Sequence, residues 1–527
     1  MILLRNVKTN LGDADEIAVQ KAIKKLGVSG SQVKDAYVLK TSIDARKQNN
    51  IIKVSTVSVK LVSNEENIAK KTGSDAQYKE TKPFTVKKGS KPLNSPIVIA
   101  GFGPAGMFAG ELLAREGYSP IVVERGYDID SRVKEVKRFW TEGVLNSECN
   151  VQFGEGGAGT FSDGKLTTRI NDPLCDYILD RFEEYGAPKD TLKKAKPHIG
   201  TDRLREVVKT LRESIIKNGG KVLFGSKITG IDVSNGKLRG VFINGEPFTT
   251  ENLILAIGHS ARDTFKMLLN SGVIMESKSF SVGARIEHLQ SEIDKGLYGN
   301  LAGHPDLPSG EYQLSYREGN RGVYTFCMCP GGVVVPSSSA EGQIVTNGMS
   351  EYARNGKNAN SALVVSVDKD DFGDGVFAGV EFQQKLENSA FELVGKGYKA
   401  CGATVGHFLN NEKGISINRV TPTYSLGLES VDFNKLFPKH ITDMMQKGIR
   451  LFDTKIKGFA ADDAVLTGPE TRTSSPIRIL RDENFEALGI SGLYPCGEGA
   501  GYAGGIMSAG VDGVKIAMKI IEKYAPE

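Results

Sequence analysis

The chain has 527 residues, 61 of them Gly and 19 Pro, with 39% hydrophobic and 25% charged residues and a net charge of +4. This balance excludes a disordered Pro/Gly-rich chain and fits a soluble globular protein of roughly two to four domains. About 37 Gly would be expected at the usual share of roughly 7%, so the surplus belongs in turns and in loops that a ligand approaches closely.

Six Cys without regular spacing exclude a disulfide scaffold and favour a reducing cytoplasm. The opening MILLRNVKTN lacks the apolar stretch of a signal peptide. The most membrane-like window, residues 93–110, is broken by Pro96, Pro104 and four Gly, so no membrane span is expected. Residues 1–92 carry 18 Lys+Arg against 9 Asp+Glu, and the remainder carries 49 against 54. That basic module either meets nucleic acid or another anionic partner, or is a solvated surface with a Lys-rich linker. Dispersed Lys and the lack of an RNA-binding signature favour the second reading.

In chain order, Ile2 to Val7 reads as a strand. Asp13, Asp15 and Glu16 load the first turn of a helix running to about Leu26. Ala36 to Ile43 and Ile51 to Val62 read as strands around Asn49-Asn50. The apolar phase of the second switches between Val54 and Val57, which predicts a bulge there. Residues 63–95, polar and Lys-rich with Pro83 and Pro92, predict a linker. From residue 96 the pattern is strand, glycine turn, helix, strand. Residues 201–218 form an amphipathic helix with Leu204, Val207, Val208, Leu211 and Ile215 on one face. Residues 221–257 are strand-rich, 281–430 are mixed, and 490–525 return to strand, glycine loop, helix.

Four motifs carry chemistry. In the first, Ile97-Val98-Ile99-Ala100 feeds Gly101-Phe102-Gly103-Pro104-Ala105-Gly106 and a helix, and a second strand ends in Glu124-Arg125. Free N–H groups at that helix start bind a pyrophosphate. Gly101 makes the turn, Gly103 admits the phosphates, and Gly106 lets the helix pack on the strand. Glu124 accepts both hydroxyls of an adenosine ribose and repels a 2′-phosphate, so FAD or NAD fits better than NADP. The second motif, residues 153–165, has five Gly in eleven residues around Gly157-Ala158-Gly159-Thr160 and ends at Lys165. Its bare backbone can lie against a flat ring or a phosphate. The third runs from Asn252 through Gly258 to His259. The fourth, residues 493–510, passes Gly497-Glu498 and a loop containing Gly504-Gly505-Ile506 before entering a C-terminal helix. NAD needs only the first motif, whereas the longer FAD needs acceptors at both ends of the sheet.

Together these residues resemble the bacterial NAD(P)/FAD-dependent oxidoreductases, or FAD-dependent dehydrogenases, over most of residues 93–527. The stretches around His198-Ile199-Gly200, Ser281 to His288, Val345 to Ser350 and Thr471 to Pro476 support it. The resemblance implies an α/β fold: a Rossmann-like FAD-binding domain of glutathione-reductase type, an inserted α+β substrate domain and a small N-terminal α/β module. It also implies that Gly258 belongs to a strand-to-glycine element. Gly497 and Glu498 then stand where a Gly-Asp pair binds the ribityl chain, and Lys165 lies near the flavin N1/O2 edge or on the surface. The expected division is 1–92, module and linker; 93–280 and 456–527, two parts of the FAD domain; and 281–455, the insert. A second GxGxxG site is missing, so NAD(P)H as electron donor would bind without a Rossmann domain of its own.

Candidate catalytic residues are Lys165, His198, Cys327, Cys329 and Arg472. Cys327 and Cys329 either exchange electrons with flavin or are packed side chains; no second Cys pair exists for zinc. Arg472 either holds an acidic substrate or pairs with Glu470 or another carboxylate. His259 reads as structural. The activity expected is two-electron transfer between flavin and a small-molecule substrate or NAD(P)H. The competing readings are an RNA-associated or RNA-modifying flavoprotein and a non-catalytic FAD-binding sensor or partner module.

Overall fold

Five strands of three residues each make one parallel sheet, in the order Leu493–Pro495, Leu253–Leu255, Val98–Ala100, Ile121–Val123, Lys221–Leu223. The structure is a computed structural model that describes residues 1–80 and 84–526. Pro83, assigned to the linker from sequence, lies outside the described residues. The inner strands are continuous apolar runs because both faces of the sheet are covered. On one face lie the helices Pro104–Arg115, Thr201–Lys217 and Ile506–Lys523, packed through Ile99, Phe108, Leu112, Ile215 and Ile520. Thr201–Lys217 buries the five apolar residues expected from its periodicity. On the other face an antiparallel meander of Ile228–Ser234, Lys237–Ile243 and Glu246–Thr249 sets Leu238 and Val241 against Val98, Val123 and Leu255. The chain leaves the middle strand toward one edge and returns on the other side. Its switch point therefore lies between Val98–Ala100 and Leu253–Leu255, where the strand ends open a crevice.

A second, seven-stranded mixed sheet has the order Ser315–Glu318, Arg321–Cys329, Asn358–Val367, Phe280–Leu289, Val465–Glu470, Ala400–Thr404, Leu428–Ser430. Its central strand alternates strictly. Phe280, Val282, Ala284 and Ile286 enter a core with helices Ala378–Leu393 and Lys439–Asp453. Arg285 and Glu287 take the opposite face, as the two-residue period requires. That buried polar face supplies much of the site below.

The N-terminal module is an antiparallel sheet ordered Val33–Asp44, Ile52–Leu61, Ile2–Asn10, Ala76–Tyr78, backed by helices Asp15–Leu26 and Glu65–Thr72. Two expectations are corrected. The segment read as linker from residue 63 carries the helix Glu65–Thr72 and the strand Ala76–Tyr78, which completes the sheet. Ile68 and Ala69 reach the module's core, and these few apolar residues suffice for a short helix. The bulges also lie in the neighbouring strands. One extra residue sits between Leu4 and Val7, where Asn6 takes φ 59°, and another between Val38 and Lys40. Ile52–Leu61 changes phase because both partners kink opposite it. The module's cations are dispersed into pairs such as Lys25–Asp75, Arg46–Asp44 and Lys53–Asp306.

The crossing of Pro104–Arg115 with Ile506–Lys523 depends on Gly513, where an added Cβ would stand 2.1 Å from the Ala105 carbonyl oxygen. Gly513→Ala must part the two helices and is expected to destabilise the protein by about 1–3 kcal/mol. An unchanged denaturant midpoint by circular dichroism would refute this packing.

Candidate functional site

The four glycine segments converge at the carboxyl edge of the parallel sheet. Gly101, at φ 99°, turns the chain where a Cβ would lie 2.3 Å from the Ala256 oxygen. A Cβ on Gly106 would lie 2.0 Å from the Gly101 oxygen and 3.3 Å from the Ile99 side chain, so this glycine seats the helix on its strand. Gly103 faces the second loop: a Cβ on Gly157 would come within 2.9 Å of the Gly103 Cα. Gly156 N–H donates to the Phe102 oxygen at 2.8 Å, tying the loops together. The turn Ala158–Phe161 follows, with Thr160 buried and Gly159 against Ile506 at the start of the last helix. The third and fourth segments meet where Gly499 lies against the Gly258 backbone.

Glu124 is buried at the heart of this edge. One oxygen accepts the Phe102 N–H at 2.8 Å, and the other accepts Gly126 N–H at 2.9 Å and Gly154 N–H at 2.8 Å. Arg125 stacks on Phe153 at 4.2 Å and pairs with Glu148 and Asp263. Gly258, Gly504 and Gly505 have no atom within 4 Å of an added Cβ. The helices beginning at Pro104 and Ile506 have glycine N-caps and no side-chain cap. Their first N–H groups are thus open to an anion. Burial pushes the Glu498 carboxyl up to about 7, against the pull of Lys278 and helped by Cys327.

A charge cluster sits where the second glycine loop meets the seven-stranded sheet. Asp163 is fully buried and hydrogen-bonds Lys165 and Arg354, the latter also through Nε at 2.9 Å. Glu311 approaches Lys165 at 3.6 Å and Arg354 at 3.4 Å. Burial would raise the Asp163 carboxyl, but Lys165 and Arg354 hold it below its usual range. Burial likewise opposes the Lys165 charge, and Asp163 and Glu311 overcome this to keep its pKa raised. His198 pairs with Lys165 through the backbone, stacks on Tyr352, and has Nε2 at 3.0 Å from the Tyr352 oxygen.

Cys327 and Cys329 end the strand Arg321–Cys329 at a bulge after Phe326, and Cys327 takes φ 44°. A left-handed non-glycine residue is strained, and the bulge holds Cys327 in it. The neighbouring Cys329 thiol draws the Cys327 thiol below its usual range against the cost of burial, with Arg285 and Lys165 adding to the effect. Arg285 lies below, its guanidinium bound to Glu470, Asn360, Asn347 and the Cys327 carbonyl.

Lys165, His198, Cys327 and Cys329 therefore share one junction. Arg472 stands apart from it. Its guanidinium binds Glu387, Ser260 and Ser339, and Glu387 also holds Arg262. Its carboxylate partner is thus Glu387, while Glu470 belongs to Arg285. His259 adjoins that network, where burial and then Arg472 depress it to about 3. Asp163, Arg285 and Arg354 were missed from sequence. Asp163 stood inside the glycine motif, but nothing local showed that Arg354, far along the chain, would answer it.

Residues 279–473 match the family described as "FAD-dependent protein, C-terminal domain-like", and residues 1–60 match "Domain of unknown function (DUF8436)". A Clostridium beijerinckii protein named only "Uncharacterized protein" is 46% identical over 527 residues, covering 99% of each chain. The chain belongs to that protein's family. Solved structures are similar at greater distance. CtdE in complex with FAD is 11% identical with a TM-score of 0.33, over 81% of this chain and 86% of that one. A geranylgeranyl bacteriochlorophyll reductase-like protein of Thermoplasma acidophilum is 13% identical with a TM-score of 0.36, over 82% and 79%. Among the described residues no helix is long and apolar enough to cross a membrane, and no group of metal-binding side chains occurs.

His198 and His288 are both buried, with Nε2 on a backbone oxygen and Nδ1 unpartnered. Burial depresses each ring to about 4. Unfolding frees both to take up protons below about pH 6.5, so their contribution is present above that pH and lost as pH falls toward 4. Stability is expected to drop by about 1.4 kcal/mol per pH unit for each ring in that window. Denaturation at pH 7 and pH 5 should show a smaller drop in His198→Gln and in His288→Gln. An equal drop in both variants and wild type would sink the assignment.

Proposed function

We propose that this chain is a FAD-dependent oxidoreductase of glutathione-reductase type, acting on a small-molecule substrate or NAD(P)H at the junction of the two sheets. The reading rests on one observation: two uncapped helix starts, three open glycines and a ribose-type carboxylate share one sheet edge. The match of residues 279–473 to a FAD-dependent family domain supports it.

The residues present fit the cofactor. Glu124 has about four acceptor sites and uses three on backbone N–H groups, which leaves one for a ribose hydroxyl rather than the two expected from sequence. Gly101, Gly103 and the helix start at Pro104-Ala105-Gly106 would hold the pyrophosphate, with Gly157, Ala158, Gly159 and Thr160 beside it. Arg125 would flank the adenosine end. Gly258, Gly497, Glu498 and Gly504-Gly505-Ile506 would hold the ribityl and flavin end. When bound, the flavin supplies two-electron transfer. Lys165, held charged by Asp163, would place positive charge where the reduced ring becomes anionic, and His198 would line the same junction. Arg472 would brace the neighbouring segment around His259 and Ser260, with Glu387 and Arg262. The proposed units are 1–92, 93–280 with 456–527, and 281–455, in a cytoplasmic protein. Neither an RNA-associated role nor a non-catalytic flavin sensor gains a supporting feature.

Purified protein should be yellow and release about one FAD per chain in acid, and anaerobic NADH or NADPH should bleach it. Gly505 has φ 164°, extended backbone open to any residue, and its Cβ direction is empty. Gly505→Val should keep the flavin-free denaturation midpoint and lose roughly tenfold or more in FAD affinity, about 1.4 kcal/mol of contact. Colourless protein that takes up no FAD would overturn the proposal.

A further inference from the structure

The two cysteines of the strand Arg321–Cys329 have the surroundings of a reacting pair. Cys327 is partly exposed and Cys329 is fully buried behind it. The Cys329 thiol donates to the Cys327 carbonyl at 3.3 Å, so the two residues are tied through the backbone of the bulge. All five N–H groups of Arg285 are engaged, so it is a fixed charge that cannot swing away. Lys165 has a more adaptable ammonium, with N–H capacity beyond its bond to Asp163. Asn360 pairs with Cys329 across the sheet, so their side chains share a face. Its fully buried Nδ2 has no partner, leaving a donor beside the sulfurs.

We propose that Cys327 and Cys329 form a dithiol couple that reduces hydroperoxides, with Cys327 as the attacking sulfur and Cys329 as the resolving one. The Cys327 thiolate attacks the terminal peroxide oxygen and the O–O bond breaks. The departing alkoxide takes a proton from Lys165 and leaves as the alcohol, with Cys327 as the sulfenic acid. The Cys329 sulfur then displaces the hydroxyl, whose oxygen takes the Cys329 proton and leaves as water. In sum, two thiols and one hydroperoxide give one disulfide, one alcohol and one water; the proton Cys327 released on ionising restores Lys165. A dithiol returns two electrons and two protons to the pair, and the short ring closed across one intervening residue favours that return.

An oxygen leaving group is far more basic than a thiolate, so a cationic donor beside the sulfur suits peroxide better than disulfide cleavage. The reaction runs once without flavin, so its failure is separable from failure of FAD binding.

The test uses the full chain, reduced with a phosphine, desalted and exposed to cumene hydroperoxide. The wild type should consume one peroxide per chain and lose two of its six titratable thiols, with a peptide linking Cys327 to Cys329 by mass spectrometry. Cys329→Ser should lose one thiol and give a dimedone adduct on Cys327. Cys327→Ser should react roughly 100-fold more slowly, at the rate of un-ionised thiols. Lys165→Met should slow peroxide consumption about tenfold more than alkylation by iodoacetamide, whose iodide needs no proton. Six thiols remaining in the wild type, or a Cys327→Ser rate equal to wild type, overturns the proposal.

Discussion

Backbone contacting backbone at the end of one parallel sheet is the constraint from which the rest follows. Gly101 against Ala256, Gly106 against Gly101, Gly157 against Gly103, Gly499 against Gly258 and Gly513 against Ala105 all meet where a Cβ would stand 2.0–2.9 Å from a main-chain atom. Segments from distant parts of the chain can share one edge only if they carry no side chains there. The edge is consequently lined with N–H groups and open space rather than reactive groups. It is suited to gripping an extended anionic molecule.

The reactive groups come from outside the edge. The buried polar face of the seven-stranded sheet brings Arg285, Asn360 and the cysteine bulge, and the second glycine loop brings Asp163 and Lys165. Asp163 joins the two by binding a cation from each side, Lys165 from its own loop and Arg354 from the segment before the strand Asn358–Val367. The segment around Gly200 reinforces this seam, since its Cβ would lie 2.1 Å from the Tyr352 nitrogen and Thr201 N–H bonds the Ser350 oxygen. Each side of this seam therefore fixes the other's geometry around Asp163.

The glycine motifs were legible because their meaning is local: a strand, a tight turn and a helix start follow one another in the sequence. The amphipathic helix Thr201–Lys217 was legible for the same reason, since its period of 3.6 residues is written in one stretch. Bulge positions in the N-terminal sheet were not, because a phase change in one strand records kinks in its neighbours as readily as its own. The helix Glu65–Thr72 was hidden by a polar composition with few apolar anchors. Arg472 shows the limit most clearly. Its charge was visible, but its partner depended on which of several carboxylates the fold would deliver, and the fold delivered Glu387. Asp163 and Arg354 lie 191 positions apart in the chain and share no local pattern.

The order of the strands also sets the order of assembly. The parallel sheet takes its outermost strand from Leu493–Pro495, and the helix Pro104–Arg115 finds its main neighbour in Ile506–Lys523. During synthesis the first helix emerges early, with Phe108 and Leu112 bare on the face that the last helix will cover. The seven-stranded sheet is completed before that covering arrives, because its strands end at Glu470. A ribosome-bound chain thus carries every strand of the seven-stranded sheet before the parallel sheet has its last one. This is the stage at which exposed apolar surface calls for a chaperone.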